Sequence, residues 1–263
     1  MASAKQAEGL ATLTRDQLID MLDEMADVRS VELKMTVPAD QRMSLYRLGF
    51  DPLEGIIRLV YFFDTPDLTL FRNGLVLRAR RTQHADDDTV VKLRPIKPAE
   101  LPHDVRTSKN LKIEMDVSRG AYVVSASLKG TRSTGAVAKT ITGERSLEQL
   151  FTKEQRALFA DRTPGVGWDE LMPLGPIFIV LLKWAPPGFR RTTIEQWHYP
   201  GEIPLVEIST KATPKDAVKV AAESMRFLRD HGLSAVGTQE PKTRKALEFF
   251  APRRGGSRSG RRG

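Results

Sequence analysis

Charged side chains recur at every second position along several short segments of this chain, and both signs are present. Glu32 and Lys34 alternate with Val31, Leu33, Met35 and Val37; Arg78 and Arg80 with Leu75, Leu77 and Ala79; Lys92 and Arg94 with Val91 and Leu93; Glu114 and Asp116 with Ile113, Met115 and Val117. Lysine and arginine heads neutralise phosphate oxygens, and carboxylates hold a divalent cation that bridges such oxygens. Polyphosphate binding is therefore the chemistry these residue types could perform together. A period of two places each set on one face of a β-strand. A single strand of this kind ordinarily shows its charged face to water. Repetition over several strands admits a second arrangement: a sheet curled with its charged faces inward and its apolar faces covered by helices, which makes a polar tunnel.

The elements that would position these residues can be read around them. Thr14 followed by Gln17 makes a capping box ahead of Leu18, Ile19, Leu22 and Met25, which predicts a short amphipathic helix before the first strand. Thr82 to Asp88, with the acidic run Asp86, Asp87 and Asp88, reads as a hairpin loop, and the Pro-rich stretch 95–110 as a longer surface connection. Ser146 is placed to cap a helix through Leu147, Leu150, Phe151 and Leu158. Thr213 and Pro214 open another, carrying Val218, Ala221, Met225 and Leu228 and stopping at Gly232. Between them lie a Gly/Pro-rich loop (163–176), an apolar strand over 177–184, a strand over 191–197 and a strand over 205–211. No internal repeat is present. The segment 130–139 is not a phosphate loop, because Ala136 and Val137 stand where Lys and Ser/Thr are needed.

Composition narrows the class further. The 263 residues are 40% hydrophobic, enough for one sizeable core, and contain no cysteine, so disulfides, thiolate nucleophiles and zinc fingers are excluded. The start of the chain has no apolar signal region and no apolar run approaches the ~18 residues of a membrane span, which points to a cytoplasmic protein. The formal charge is +8. Arg253, Arg254, Arg258, Arg261 and Arg262 supply five of those charges, leaving about +3 for the rest. The segment 251–263 is expected to be disordered and to offer at most weak nucleic-acid or polyanion contact through charge alone. The domain reading is an extension with a short helix over 1–27, a tunnel domain over 28–250, and the basic tail.

One run of residues is more specific. Tyr61-Phe62-Phe63-Asp64-Thr65-Pro66-Asp67-Leu68, followed by Leu70, Gly74, Leu77, Arg78 and Arg80, resembles the most recognisable stretch of the CYTH family of triphosphate tunnel metalloenzymes. Val31-Glu32-Leu33-Lys34 is similar to the end of that family's first strand. Val91-Lys92-Leu93-Arg94, Glu114-Met115-Asp116, Lys183, Arg190-Arg191, Val206-Glu207-Ile208 and the 241–247 segment follow in the family's order. The resemblance implies an α+β fold, an eight-stranded antiparallel β-barrel with flanking helices, binding triphosphate, polyphosphate or a nucleoside triphosphate with Mg²⁺ or Mn²⁺. It implies that Lys34, Arg78, Arg80, Lys92, Arg94, Lys183 and one or both of Arg190 and Arg191 contact phosphate, and that Lys242 closes one end. Glu32, Glu114, Asp116 and Glu207 would hold metal, the first three also serving catalysis.

The match departs from the family at the metal ligands. Ser30 stands where the first strand usually begins with Glu, and Ser209 where a second acid is common on the last strand; a hydroxyl supplies an oxygen but no charge. Glu195 is a neighbour that could turn inward. Three activities stay open: a metal-dependent triphosphatase, a tunnel that binds without turnover, and an adenylate cyclase. His84, His103, His198 and His231 lack ligand spacing and read as surface residues. Trp168, Trp184 and Trp197 read as packing residues, and Lys215, Lys219, Arg226 and Arg229 as the solvated side of a helix.

Overall fold

The computed structural model describes residues 14–118, 121–234 and 242–252. The N-terminal residues before 14 and the arginines from 253 onward, including the basic tail, lie outside the described residues.

In chain order the elements are α1 (Arg15–Met25), β1 (Ser30–Val37), α2 (Arg42–Arg47), β2 (Ile56–Asp64), α3 (Thr69–Arg72), β3 (Leu75–Thr82), β4 (Asp87–Leu93), α4 (His103–Thr107), β5 (Leu111–Ser118), β6 (Ala121–Arg132), α5 (Ala136–Ile141), α6 (Leu147–Leu150), α7 (Lys153–Arg162), β7 (Met172–Trp184), β8 (Thr192–His198), β9 (Leu205–Ala212), α8 (Ala217–Asp230) and α9 (Lys242–Phe250). Among the described residues the strands close into one barrel in the order β1-β5-β6-β4-β3-β2-β7-β8-β9. The expected eight antiparallel strands are thus corrected to nine in a mixed barrel, since β1 and β5 run parallel from Ser30↔Glu114 to Leu33↔Val117. The strand the pattern hid is β6. Its inward positions are Val123, Ser125 and Ser127, so it carries no charged alternation.

Pairing fixes which residues share a face. Glu32 lies opposite Lys211 and Lys34 opposite Ser209. Phe62 faces Arg78 and Val60 faces Arg80, while Val76 faces Lys92 and Arg80 faces Asp88. Leu181 pairs with Glu195 and Lys183 with Thr193, and Glu195 with Glu207. All of these are on the inner surface. The outer surface is apolar: Val31, Leu75, Leu77, Val91, Leu111, Met115 and Leu128 pack with Met21, Met25, Val137, Leu150, Phe151, Leu158 and Phe159 of the covering helices. On the opposite flank Val37, Trp184, Ile194 and Ile208 pack with Leu45 and Leu228.

The covering helices differ from expectation in three places. The helix expected from Ser146 onward is broken into α6 and α7, because Thr152 starts a new capping box with Gln155. Gln155 is fully buried: its Nε2 donates to the carbonyls of Thr89 and Leu128, and its Oε1 accepts from Thr89 Oγ1. This clamps α7 to β4 and β6. In α8 the buried face is Ala217, Val220, Ser224 and Leu228, whereas Val218 and Met225 are exposed. Small side chains let that helix lie close to the strands. In α1 only Met21 and Met25 are buried, and Leu18, Ile19 and Leu22 stay half-exposed.

The segment carrying the family resemblance is a structural turn. The Asp64 carboxylate is buried and accepts from the backbone N–H groups of Thr65, Leu70 and Phe71 at 2.8, 2.8 and 2.9 Å. It holds the corner between β2 and β3. At its end Gly74 adopts φ +73°, and its carbonyl accepts from Arg94 N at 2.8 Å; a Cβ there would sit 2.8 Å from the Arg94 carbonyl. The turn thereby pins the backbone of a lumen residue.

Candidate functional site

The lumen has two ends of different character. At one, Val60, Phe62, Val76, Ile177, Ile179, Trp197 and Leu205 face inward and pack against Ala246 and Leu247 of α9. This helix stoppers the barrel. Its first residue, Lys242, reaches past Trp197, whose ring centroid is 5.0 Å from Nζ, into the charged part of the lumen. There it contacts Glu195 and lies 2.6 Å from Glu207. Burial alone would lower the Lys242 ammonium, but the two carboxylates raise it well above the ordinary range; burial alone would raise Glu195, but Lys242 and the Trp197 N–H hold it down at about 2.

The charged part divides into two walls. One is built by β2, β3 and β4. It carries Arg58, Arg78, Arg80, Lys92 and Arg94, with Asp88 held by Arg80 through Nε at 2.9 and 3.1 Å. Arg58 lies 3.9 Å from Glu195. Among the described residues Arg78 has no carboxylate within ion-pair distance, and the Nε–H groups of Arg58 and Arg78 are buried without a hydrogen-bond partner. Burial, reinforced by Arg80, pushes the Arg78 guanidinium down to about 9. A buried donor with no partner is destabilising and marks a place that an acceptor should fill.

The other wall is built by β1, β5, β8 and β9. Asp116 is almost fully buried and receives Lys34 at 2.8 Å, Lys92 at 3.1 Å and Arg94 at 3.6 Å. Burial would raise this carboxyl, but Lys92, Lys34 and Arg94 hold it far below the carboxylate range. Burial would likewise lower Lys34; Asp116, Glu32 and Glu207 outweigh it and raise the ammonium. Lys92 is lowered to about 8, chiefly by burial and only partly offset by Asp116. Glu114 accepts from Ser30 Oγ at 3.0 Å and from Lys211 Nζ at 2.5 Å. Glu32 pairs with Lys34 at 3.2 Å.

The structure brings together Glu32, Lys34, Arg78, Arg80, Lys92, Arg94, Glu114, Asp116, Glu207 and Lys242. Lys183 and Arg191 are exposed at the rim, where Lys183 donates to Thr193 Oγ1 at 2.9 Å and is lowered by burial, Arg58 and Arg191. Arg190 is turned away from the lumen: it pairs with Glu223 of α8 at 2.9 Å. Of the two arginines, Arg190 is thus the one engaged with a covering helix.

Three lumen residues escaped sequence reasoning, and one was left open. Arg58 is the one basic residue in a largely apolar strand, which is a usable signal. Asp88 was assigned to a hairpin loop, but β4 begins at Asp87, so Asp88 is a paired strand residue. Lys211 follows Ser209 on the same face of β9. Glu195 does turn inward. Trp184 and Trp197 are buried packing residues, each donating its indole N–H, to the Leu48 carbonyl and the Glu195 carboxylate. Trp168 packs on Phe151 and Phe159.

A divalent cation needs several carboxylate oxygens free to converge on one point. Among the described residues no three acidic or histidine side chains form such a group. Glu114, Asp116, Glu195 and Glu207 each already receive an ammonium, and Ser30 and Ser209 add no charge. The residues present do not fit a divalent-metal centre. No helix among them is long and apolar enough to cross a membrane.

No family model and no curated protein matches this chain. Solved structures do. A candidate adenylyl cyclase of Hippeastrum, described as having a dominant triphosphatase activity, aligns over 84% of this chain and 95% of its own at 18% identity, with a TM-score of 0.58. A candidate adenylate cyclase of Bacillus halodurans aligns over 82% and 97% at 15% identity, with a TM-score of 0.56. The chain shares their fold, a closed barrel with flanking helices as the resemblance implied, here of nine strands with one parallel pair.

Proposed function

We propose that this chain belongs to the CYTH family and that its lumen binds a linear triphosphate, either inorganic triphosphate or the chain of a polyphosphate or nucleoside triphosphate. The observation that carries this reading is the pair of buried Nε–H groups on Arg58 and Arg78 that have no partner among the described residues, in a wall completed by Arg80, Lys92 and Arg94. Planar guanidinium forks match phosphate oxygens two at a time, and such charge-assisted bonds are the strong ones.

Hydrolysis of the terminal anhydride is the reaction favoured by the activity described for the Hippeastrum relative. A water oxygen would attack the terminal phosphorus in line, the bond from that phosphorus to the bridging oxygen would break, and diphosphate would leave. The cationic wall neutralises charge spreading over the equatorial oxygens. Asp116 is held too acidic by its three cations to be a good base, and Lys211 and Ser30 hold Glu114 down as well, which leaves Glu32 to take the water's proton. Ser30, Ser209 and Lys211 favour a second reading, binding without turnover. Cyclase chemistry is less favoured, because α9 fills the apolar end where a base would stack.

Phosphate release from inorganic triphosphate, measured with Mg²⁺, with Mn²⁺ and with EDTA beside a Glu32→Ala variant, decides between these. Turnover lost in the variant establishes the hydrolase. Tight binding with no turnover under any condition establishes the binding module.

A further inference from the structure

Lys211 sits where a metal ion would be expected to act. On β9 its Cα is directly opposite Glu32 of β1. Its Nζ is 2.5 Å from Glu114 Oε1 on β5, the same oxygen that accepts from Ser30 at 3.0 Å. A divalent ion approaching Glu32 and Glu114 would therefore meet a cation already bound to Glu114, one hydroxyl in place of a carboxylate, and repulsion from Lys211 and Lys34 together.

Resting on the triphosphate reading above, we infer that Lys211 is a resident cation that replaces the divalent ion against Glu32 and Glu114, so that the tunnel binds triphosphate without metal. The bridging ion in a carboxylate-lined phosphate site keeps the ligand's oxygens from facing bare carboxylates. Here Lys211 on Glu114, Lys34 on Glu32 and Asp116, and Lys242 on Glu207 do that task with single charges on the chain itself. Lys211 is half-exposed. It is thus accessible to a ligand entering the lumen and can be replaced without opening the core.

The test is titration calorimetry of inorganic triphosphate into the full chain in EDTA and in excess Mg²⁺, with Mn²⁺ paramagnetic resonance as a direct readout of metal. The wild-type protein should bind equally in both conditions, within about threefold, and should hold no Mn²⁺. Lys211→Met should bind at least about tenfold more weakly in EDTA and recover in Mn²⁺, whereas Lys211→Arg should keep metal-free binding. Lys211→Met combined with Ser30→Glu and Ser209→Glu should acquire a bound Mn²⁺. Triphosphate binding that requires metal, or stoichiometric Mn²⁺ in the wild-type lumen, overturns the inference while leaving the triphosphate reading intact. Unchanged EDTA binding by Lys211→Met overturns it as well. Absence of triphosphate binding in either condition removes the functional reading and this inference with it.

Discussion

The two walls of the lumen are made by the same device, a strand with charges at alternate positions, yet they are in opposite states. On the β1–β5–β8–β9 side every carboxylate is met by a lysine: Glu114 by Lys211, Asp116 by Lys34 and Lys92, Glu195 and Glu207 by Lys242. On the β2–β3–β4 side Arg80 has Asp88, but among the described residues the Nε–H groups of Arg58 and Arg78 have no hydrogen-bond partner. One wall is electrostatically closed, and on the proposed reading the other takes the anion. The difference teaches that the selectivity of this lumen resides in what is left uncompensated rather than in the number of charges, because a buried charge that already has its partner has little left to offer a ligand.

The contrast can be broken first at its closed wall. Lys242→Met leaves Glu195 and Glu207 without their cation and should lower stability by about 3 kcal/mol, read as a fall in the denaturation midpoint with unchanged slope. On the open wall, Arg78→Ala should weaken inorganic triphosphate binding by roughly 30- to 150-fold, the equivalent of about 2–3 kcal/mol for charge-assisted bonds, with the melting temperature held. Unchanged affinity in calorimetry would remove Arg78 from the site. Gly74→Ala should cost about 1–2 kcal/mol in thermal unfolding and also weaken binding, since the strained residue must push on the Arg94 carbonyl.

The smallest effect is a pH dependence. Lys92 is lowered to about 8 in the empty protein, so a binding step that needs its charge weakens as the pH rises through that value. Between pH 7 and pH 9 the loss should approach about tenfold. Lys92→Arg stays charged throughout and should flatten the part of the profile that belongs to the protein, leaving only the ligand's own titration.

Much of the cradle was legible because it rests on period two. Glu32, Lys34, Arg78, Arg80, Lys92, Glu114 and Asp116 stand at alternate positions flanked by apolar residues, and an apolar outer face forces the charged face inward once the sheet closes. The Asp64 turn was recognisable because a buried carboxylate satisfying three backbone N–H groups tolerates little change. β6 was not legible, since Val123, Ser125 and Ser127 on its inner face carry no charge and give no contrast. Asp88 was obscured by the acidic run that looked like a loop.

The sequence by itself determined the alternation of charged and apolar residues; the lumen, and the serines at 30 and 209 where acids are usual, were legible only through the family resemblance. Which residues share a wall is not a local property, so only the tertiary structure decided it. A parallel β1–β5 seam sets Ser30 beside Glu114, the β1–β9 pairing sets Lys211 opposite Glu32, and the β7–β8 turn sends Arg190 to Glu223. The physical reason is that hydrophobic periodicity specifies a face within a strand, whereas the identity of the charge across the lumen depends on register and closure between strands far apart in the chain.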